Sequence, residues 1–117
     1  MSQSDDSNTG IKEIVFFSKR VEKDFKALQE KHQVRFIHNL SMVAHGMDPS
    51  MKFDHLESAG SGCIELKING SPAYRCVYYN KLPGKVVVVI ATDKTTNGSD
   101  QKILDLVKAR VKKLKKT

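Results

Sequence analysis

The chain lacks several features that would assign it to a class at once. Its 117 residues include no tryptophan, two cysteines and three prolines. The longest apolar run, residues 86–91, is far shorter than the roughly 18 residues of a membrane-spanning helix. The first ten residues, MSQSDDSNTG, have neither the basic start nor the apolar centre of a secretory signal. We therefore expect a cytoplasmic protein with no membrane partner.

Metal-ligand patterns are missing as well. Cys63 and Cys76 have no CxxC spacing, and a free cysteine in a cytosolic chain is usually a small buried side chain. The four histidines form no HxxxH or HExxH pattern, which zinc-binding helices require. The sequence therefore predicts no metal and no cofactor.

Positive charge is what the chain has in excess. It carries 20 lysines and arginines against 13 aspartates and glutamates, a formal net charge of +7. From residue 101 onward a single acid, Asp105, is outnumbered by cations at 102, 108, 110, 112, 113, 115 and 116. Such a field favours nucleic acid, an anionic membrane surface or an acidic protein. The alternative is the solvated face of an amphipathic helix.

Hydrophobic periodicity predicts the element order β-α-α-β-β-β-α. Apolar residues recur at helical spacing in residues 21–28, 36–44 and 103–114, and strand patterns cover residues 12–17, 62–68, 73–80 and 85–92. Residues 1–10 read as a disordered tail and residues 47–61 as a loop. We therefore expect an α+β fold over residues 11–117, with an antiparallel sheet and helices packed on one side in a single domain.

Three cations mark the predicted sheet: Lys67 and Arg75 interrupt strands, and Lys94 follows one. A charge in a strand core costs several kcal/mol unless it is paired, so a cluster of three predicts an anion site. In so basic a chain the expected anion is a phosphodiester. Lys67 and Arg75 can share one face only if the loop between their strands has an odd length or a bulge. We predict one of these.

The sequence resembles the RelE/ParE toxin superfamily, and most closely its phage-derived, HigB-like branch. The typical strands of that branch, GxYELR, YRVVY and VYVLHAFxKKT, correspond here to GCIELK at 62–67, YRCVY at 74–78 and VVVVIATDKTT at 86–96. The resemblance covers about residues 12–114. It implies the toxin of a type II toxin–antitoxin system, with a ribosome-dependent mRNA endonuclease activity. The implied partners are a cognate antitoxin, expected to be a helix-turn-helix protein, the ribosome and mRNA.

The resemblance also implies which residues act. In RNA cleavage the 2′-OH attacks the adjacent phosphorus, so no protein nucleophile is needed. Arg75 is expected to hold the scissile phosphate, and Lys67 or Lys94, crowded by other cations, to act as base or acid. Four further residues are candidates for RNA contact: Lys52, Tyr79, Arg110 and Lys113. Tyr79 lies on the side of Arg75 by alternation and would stack on a base, and the alternative is that it packs in the core or at the sheet edge.

The third motif departs from the pattern of the branch. Ile90 replaces its histidine, Thr92 its phenylalanine and Thr95 one lysine, and Asp93 adds a negative charge beside Lys94. These changes leave an alternative open, in which a non-catalytic or ParE-like protein binds a protein target or only its antitoxin. A third reading is a small basic nucleic-acid binder without an antitoxin.

Overall fold

Strands and helices follow one another in the predicted order, with one additional strand. The computed structural model describes residues 10–94 and 100–116, so the predicted tail lies outside the described residues except for Gly10. The α+β class is confirmed. The elements are β1 (Glu13–Phe16), α1 (Lys19–Lys26), α2 (Glu30–Ala44), β2 (Phe53–His55), a short 3-10 turn (Glu57–Ala59), β3 (Cys63–Ile68), β4 (Ala73–Tyr79), β5 (Lys85–Lys94) and α3 (Gln101–Lys115).

The five described strands form one mixed sheet in the order β1-β5-β4-β3-β2. β1 runs parallel to β5, and the other neighbours are antiparallel. The predicted all-antiparallel sheet is therefore wrong in one pair. Two helices and three strands separate β1 from β5, so hairpin geometry does not fix their relative direction.

The helices cover both faces of the sheet, and the prediction of helices on one side is wrong. α1 and α2 pack on one face, where Phe25 and Phe36 meet Cys76 and Tyr78 in one cluster. α3 packs on the other face in a second cluster, which includes Val77, Tyr79, Val87, Val107 and Val111. β4 and β5 are apolar on both sides, so each side has to be shielded from water.

A β-bulge interrupts the pairing of β4 with β5. Tyr78 pairs with Val88 and Val77 pairs with Ile90, so Val89 has no partner residue in this ladder. Val87, Val89 and Ile90 all belong to the cluster under α3. The bulge therefore shifts the alternation of side chains by one residue between the two halves of β5.

The segment predicted as a loop, residues 47–61, contains β2. It pairs with β3 through Phe53 and Leu66, Asp54 and Glu65, and His55 and Ile64. Only Phe53 is partly buried, while Asp54 and His55 are exposed. A three-residue edge strand with polar side chains gives no alternating apolar signal, which explains why the sequence pattern missed it.

The helix ends follow the local signals in the sequence. The Ser18 hydroxyl accepts a hydrogen bond from the Val21 amide at 3.2 Å, and Gly46 follows α2 with a φ of 85°, which suits glycine. The Asp100 carboxylate caps α3 by accepting from the Lys102 amide at 2.9 Å. Within the described ranges, no helix has the length and apolar character needed to cross a membrane.

Candidate functional site

The register of the sheet brings the predicted cations onto one face. Lys67 pairs directly with Arg75, and Arg75 pairs with Thr92. Residues 69–73 connect the outermost pair of β3 and β4, Ile68 and Tyr74. That loop length is odd, which confirms the prediction. Lys94 lies two residues beyond Thr92 on β5, and alternation therefore places it on the same face.

Two carboxylates lie among these cations. Glu65 is two residues before Lys67 on β3 and pairs with Asp54 of the edge strand. We call Asp54, Glu65, Lys67, Arg75 and Lys94 the charged row. It occupies the α3 face of the sheet, beyond the apolar cluster. The sequence interpretation missed both carboxylates as site residues, although the alternation of Glu65 with Lys67 was the available signal.

Arg75 lies inside the protein and contacts the turn between β3 and β4. Its side chain is 1% exposed. One terminal nitrogen donates to the carbonyls of Tyr74 at 3.0 Å and Ile68 at 3.3 Å, and the other donates to the Asn69 side-chain oxygen at 3.2 Å. The predicted role of holding a phosphate directly does not fit this geometry, because the guanidinium is buried against the turn.

Lys67 forms an ion pair with the edge strand. Its ammonium donates to Asp54 at 2.7 Å, with the two side chains 17% and 55% exposed. This hydrogen bond is the main reason that the pKa of Asp54 is lowered, and the charges of Lys67, Lys52 and Arg75 act in the same direction. Lys67 therefore lies between a carboxylate and solvent, at the edge of the row.

Glu65 is the carboxylate at the centre of the row. Its side chain is 13% exposed, and one carboxylate oxygen lies 3.7 Å from Nε of Arg75. Burial raises the pKa of Glu65, while the charges of Arg75, Lys67 and Lys94 oppose that shift. A carboxylate that is partly desolvated and surrounded by cations is suited to accept and return a proton.

Lys52 lies beside the row, whereas Tyr79 lies in the core. The Lys52 carbonyl accepts from the Lys67 amide at 2.9 Å, and the Lys52 side chain is exposed. Tyr79 is 4% exposed and belongs to the apolar cluster under α3. Its ring is therefore not available to stack on a base, which corrects the prediction.

The two cations predicted on the last helix have separate positions. The Arg110 guanidinium donates to the Val89 carbonyl and lies 5.6 Å from the centre of the Phe17 ring, and burial lowers the pKa of Arg110. These contacts hold α3 to the sheet. Lys113 is exposed, about 18 Å along the helix axis from Gln101 at 1.5 Å per residue. Neither residue belongs to the charged row.

The residues of the altered third motif lie in two places, the apolar core under α3 and the strand positions beside the charged row. Ile90 is 4% exposed under α3, so its side chain takes a packing position. Thr92 stands opposite Arg75, and its hydroxyl donates to the Asp93 carbonyl at 2.9 Å. Thr95 lies outside the described residues. In residues 10–94 and 100–116, no group of three or more histidine, cysteine, aspartate or glutamate side chains is placed to hold a metal ion.

Comparison with known proteins gave one match. The family model described as Phage derived protein Gp49-like (DUF891) matches residues 23–112, which span α2, all described strands except β1, the second half of α1 and most of α3. Neither the curated proteins nor the solved structures gave a match. The matched range includes every residue of the charged row.

Proposed function

Because the chain belongs to the Gp49-like family of phage-derived proteins, a toxin family within the RelE/HigB-like group, we propose that it is a toxin that cleaves mRNA on the ribosome. In this proposal it works in the cytoplasm and is inhibited by a cognate helix-turn-helix antitoxin. The observation that supports cleavage most directly is the pairing of β3, β4 and β5, which gathers Glu65, Lys67, Arg75 and Lys94 on one face.

The proposed reaction needs one proton acceptor and one proton donor. The ribose 2′-OH attacks the adjacent phosphorus and loses its proton, the bond from phosphorus to the 5′-oxygen breaks, and that oxygen takes up a proton. Glu65 is the acceptor in this proposal, because its burial raises its pKa. Lys67 and Lys94 stabilise the negative charge on the phosphate and supply the proton. The cleavage depends on the 2′-OH, so the substrate is RNA.

Arg75 has a positioning role in this scheme. Its side chain is 1% exposed and approaches Glu65 to 3.7 Å, so it orients the carboxylate and does not touch the substrate. The exposed Lys52, beside Lys67, is placed to bind an RNA phosphate that flanks the cleaved one. Lys113, on the outer surface of α3, would contact ribosomal RNA or an acidic antitoxin segment at a distance from the cleavage site.

The test is induced expression in bacteria, with growth recorded and mRNA 5′-ends mapped. We expect growth arrest and new 5′-ends inside translated codons. Lys67→Met should reduce the new ends at least tenfold, as removal of one charge-stabilising donor typically does. Lys31→Met, at an exposed position of α2, is the matched control and should cleave as the unchanged chain does. Equal cleavage by Lys67→Met and Lys31→Met would contradict the assignment of the site.

One observation favours a second function, a non-catalytic toxin-fold protein that binds a protein target or only its antitoxin. Both Lys67 and Arg75 are already paired with carboxylates, and Ile90 stands where the HigB-like pattern has a histidine. Growth arrest without new 5′-ends would favour binding of a protein target. A folded product that does not arrest growth would leave antitoxin binding as the remaining function.

A further inference from the structure

A small cavity adjoins the charged row. It has a volume of about 180 Å³ and lies between the 3-10 turn, β3 and the first turn of α3. That volume corresponds to about six water molecules at roughly 30 Å³ each. It is therefore smaller than the pockets of drug-sized ligands and suits a single planar ring system.

The lining of the cavity combines apolar side chains with hydrogen-bond acceptors. Leu56, Ile103 and Leu104 are its apolar residues, and Ser58, Glu65, Asp100 and Gln101 supply the polar groups. The Gln101 side-chain nitrogen already donates to Asp105 at 2.8 Å. One Asp100 oxygen already accepts from the Lys102 and Ile103 amides. Further acceptors are the second Asp100 oxygen, the Glu65 carboxylate, the Gln101 side-chain oxygen and the Ser58 hydroxyl, which can also donate. The lining includes no lysine or arginine. A phosphate is therefore a poor fit, whereas a flat ring with N–H donors along one edge is a good one.

We propose that this cavity binds a nucleobase of the RNA, and that it prefers guanine. Guanine is the RNA base with two adjacent N–H donors, on its ring nitrogen and its amino group, and the acceptors of the lining can receive both. Its flat faces would lie against the two leucines. This proposal rests on the proposed function, because it takes the ligand to be the RNA that the charged row cleaves.

The position of Glu65 connects the cavity to the chemistry. Glu65 lines the cavity and also belongs to the charged row. Lys67 follows two residues later on the same face of β3, about 7 Å further along the strand. A nucleotide with its base in the cavity therefore has its ribose near Glu65 and its phosphate towards Lys67. The cavity thereby selects which nucleotide presents its 2′-OH.

The experiment measures nucleotide binding to the full chain by NMR amide shifts. The probes are GMP, UMP and ribose 5-phosphate, and the cavity variant is Ser58→Trp, which fills the cavity from an exposed position. Ser61→Trp makes the same change at an exposed residue outside the cavity lining. We expect GMP to bind at least fivefold more tightly than UMP. Its affinity should fall at least tenfold in Ser58→Trp and stay unchanged in Ser61→Trp.

Two results would overturn the cavity assignment. One is ribose 5-phosphate binding as tightly as GMP, and the other is GMP binding to Ser58→Trp as to the unchanged chain. The mapped 5′-ends separate this proposal from the proposed function. If GMP binds selectively and no mRNA is cleaved, the cavity assignment stands and the proposed nuclease function is wrong. If Ser58→Trp cleaves mRNA with the same base preference as the unchanged chain, the proposed nuclease function stands and the cavity assignment is wrong.

Discussion

The two ends of the sheet face under α3 are built from the same strands with opposite chemistry. At one end, Val77 and Tyr79 of β4 are buried against α3. At the other end, the equivalent alternating positions hold Arg75 on β4, and Glu65 and Lys67 on β3. The apolar end stabilises the fold by burial. The charged end has to offset the desolvation of its own groups, so it contributes less to the stability of the fold than the apolar end does.

The largest effect on stability is expected at the charged end, from Arg75→Met. This change removes the guanidinium that lies 3.7 Å from the Glu65 carboxylate and the hydrogen bonds to the β3–β4 turn. Breaking a buried pair from one side costs about 3–5 kcal/mol, which urea unfolding would measure. The double variant Glu65→Met with Arg75→Met should regain part of the loss, because the carboxylate is no longer left buried without Arg75, whereas the hydrogen bonds to the turn remain absent. A loss below about 1 kcal/mol in the single variant would show that the pair does not behave as a buried one.

A smaller effect is expected two residues away on the same strand, at the apolar end. Val77 is fully buried, and Val77→Ala should lower the free energy of unfolding by about 2 kcal/mol through lost burial and the cavity left behind. At a temperature where the variant remains folded, its pattern of mRNA 5′-ends should match that of the unchanged chain. If Val77→Ala altered the cleavage pattern while folded, the division between a folding end and a chemical end would be wrong.

The smallest effect is the part of the pH dependence of stability that comes from Glu65. Burial raises its pKa above the ordinary value of 4.5, so the folded chain holds this proton more tightly than the unfolded chain does. The resulting stabilisation is fully present below pH 4.5 and is lost as the pH rises through the raised pKa. Relative to Glu65→Gln, the unchanged chain should therefore lose stability as the pH rises from 4.5 through the raised pKa of Glu65.

The same pH series includes a control for the neighbouring carboxylate. The pKa of Asp54 is lowered below its ordinary value of 3.8 by Lys67, so its contribution is present above pH 3.8 and is lost only as the pH falls through the lowered pKa. It does not vary in the window where Glu65 titrates. Urea unfolding gives the free energy of unfolding of the unchanged chain and of Glu65→Gln at each pH. If these two free energies vary with pH in parallel, the raised pKa assigned to Glu65 is wrong.

Periodicity within single segments predicted the helices and the strands β1, β3, β4 and β5. The helix ends depend on neighbouring residues, with Ser18, Gly46 and Asp100 next to the helices that they begin or end. The odd loop between β3 and β4 was predicted from the requirement that Lys67 and Arg75 share a face. β2, the parallel direction of β1 and the covering of both sheet faces depend on partners distant in the chain, and the pattern of a single segment does not contain them.

The sequence predicted that the cations of the candidate site lie together. It predicted neither the two carboxylates nor the burial of Arg75. The clustering of Lys67, Arg75 and Lys94 follows from strand order. The burial of Arg75 depends on Asn69 and Glu65 closing around it, and the inward turn of Arg110 depends on the Val89 carbonyl. Whether a basic side chain faces solvent or an acceptor inside the fold is decided by these tertiary contacts, and charge counting does not resolve it.

The bulge at Val89 has a consequence for how the chain tolerates insertions and deletions. Because Val89 is the unpaired residue of the β4–β5 ladder, removing it would leave Val88 opposite Tyr78 and Ile90 opposite Val77 in an uninterrupted strand. Residues 86–89 are four consecutive valines, so deletion of any one of them gives the same sequence and has the same outcome. The bulge therefore absorbs a one-residue change in the length of this valine run without changing the face on which Thr92 and Lys94 lie. Homologous chains that are one residue shorter in this run should keep both side chains on the α3 face.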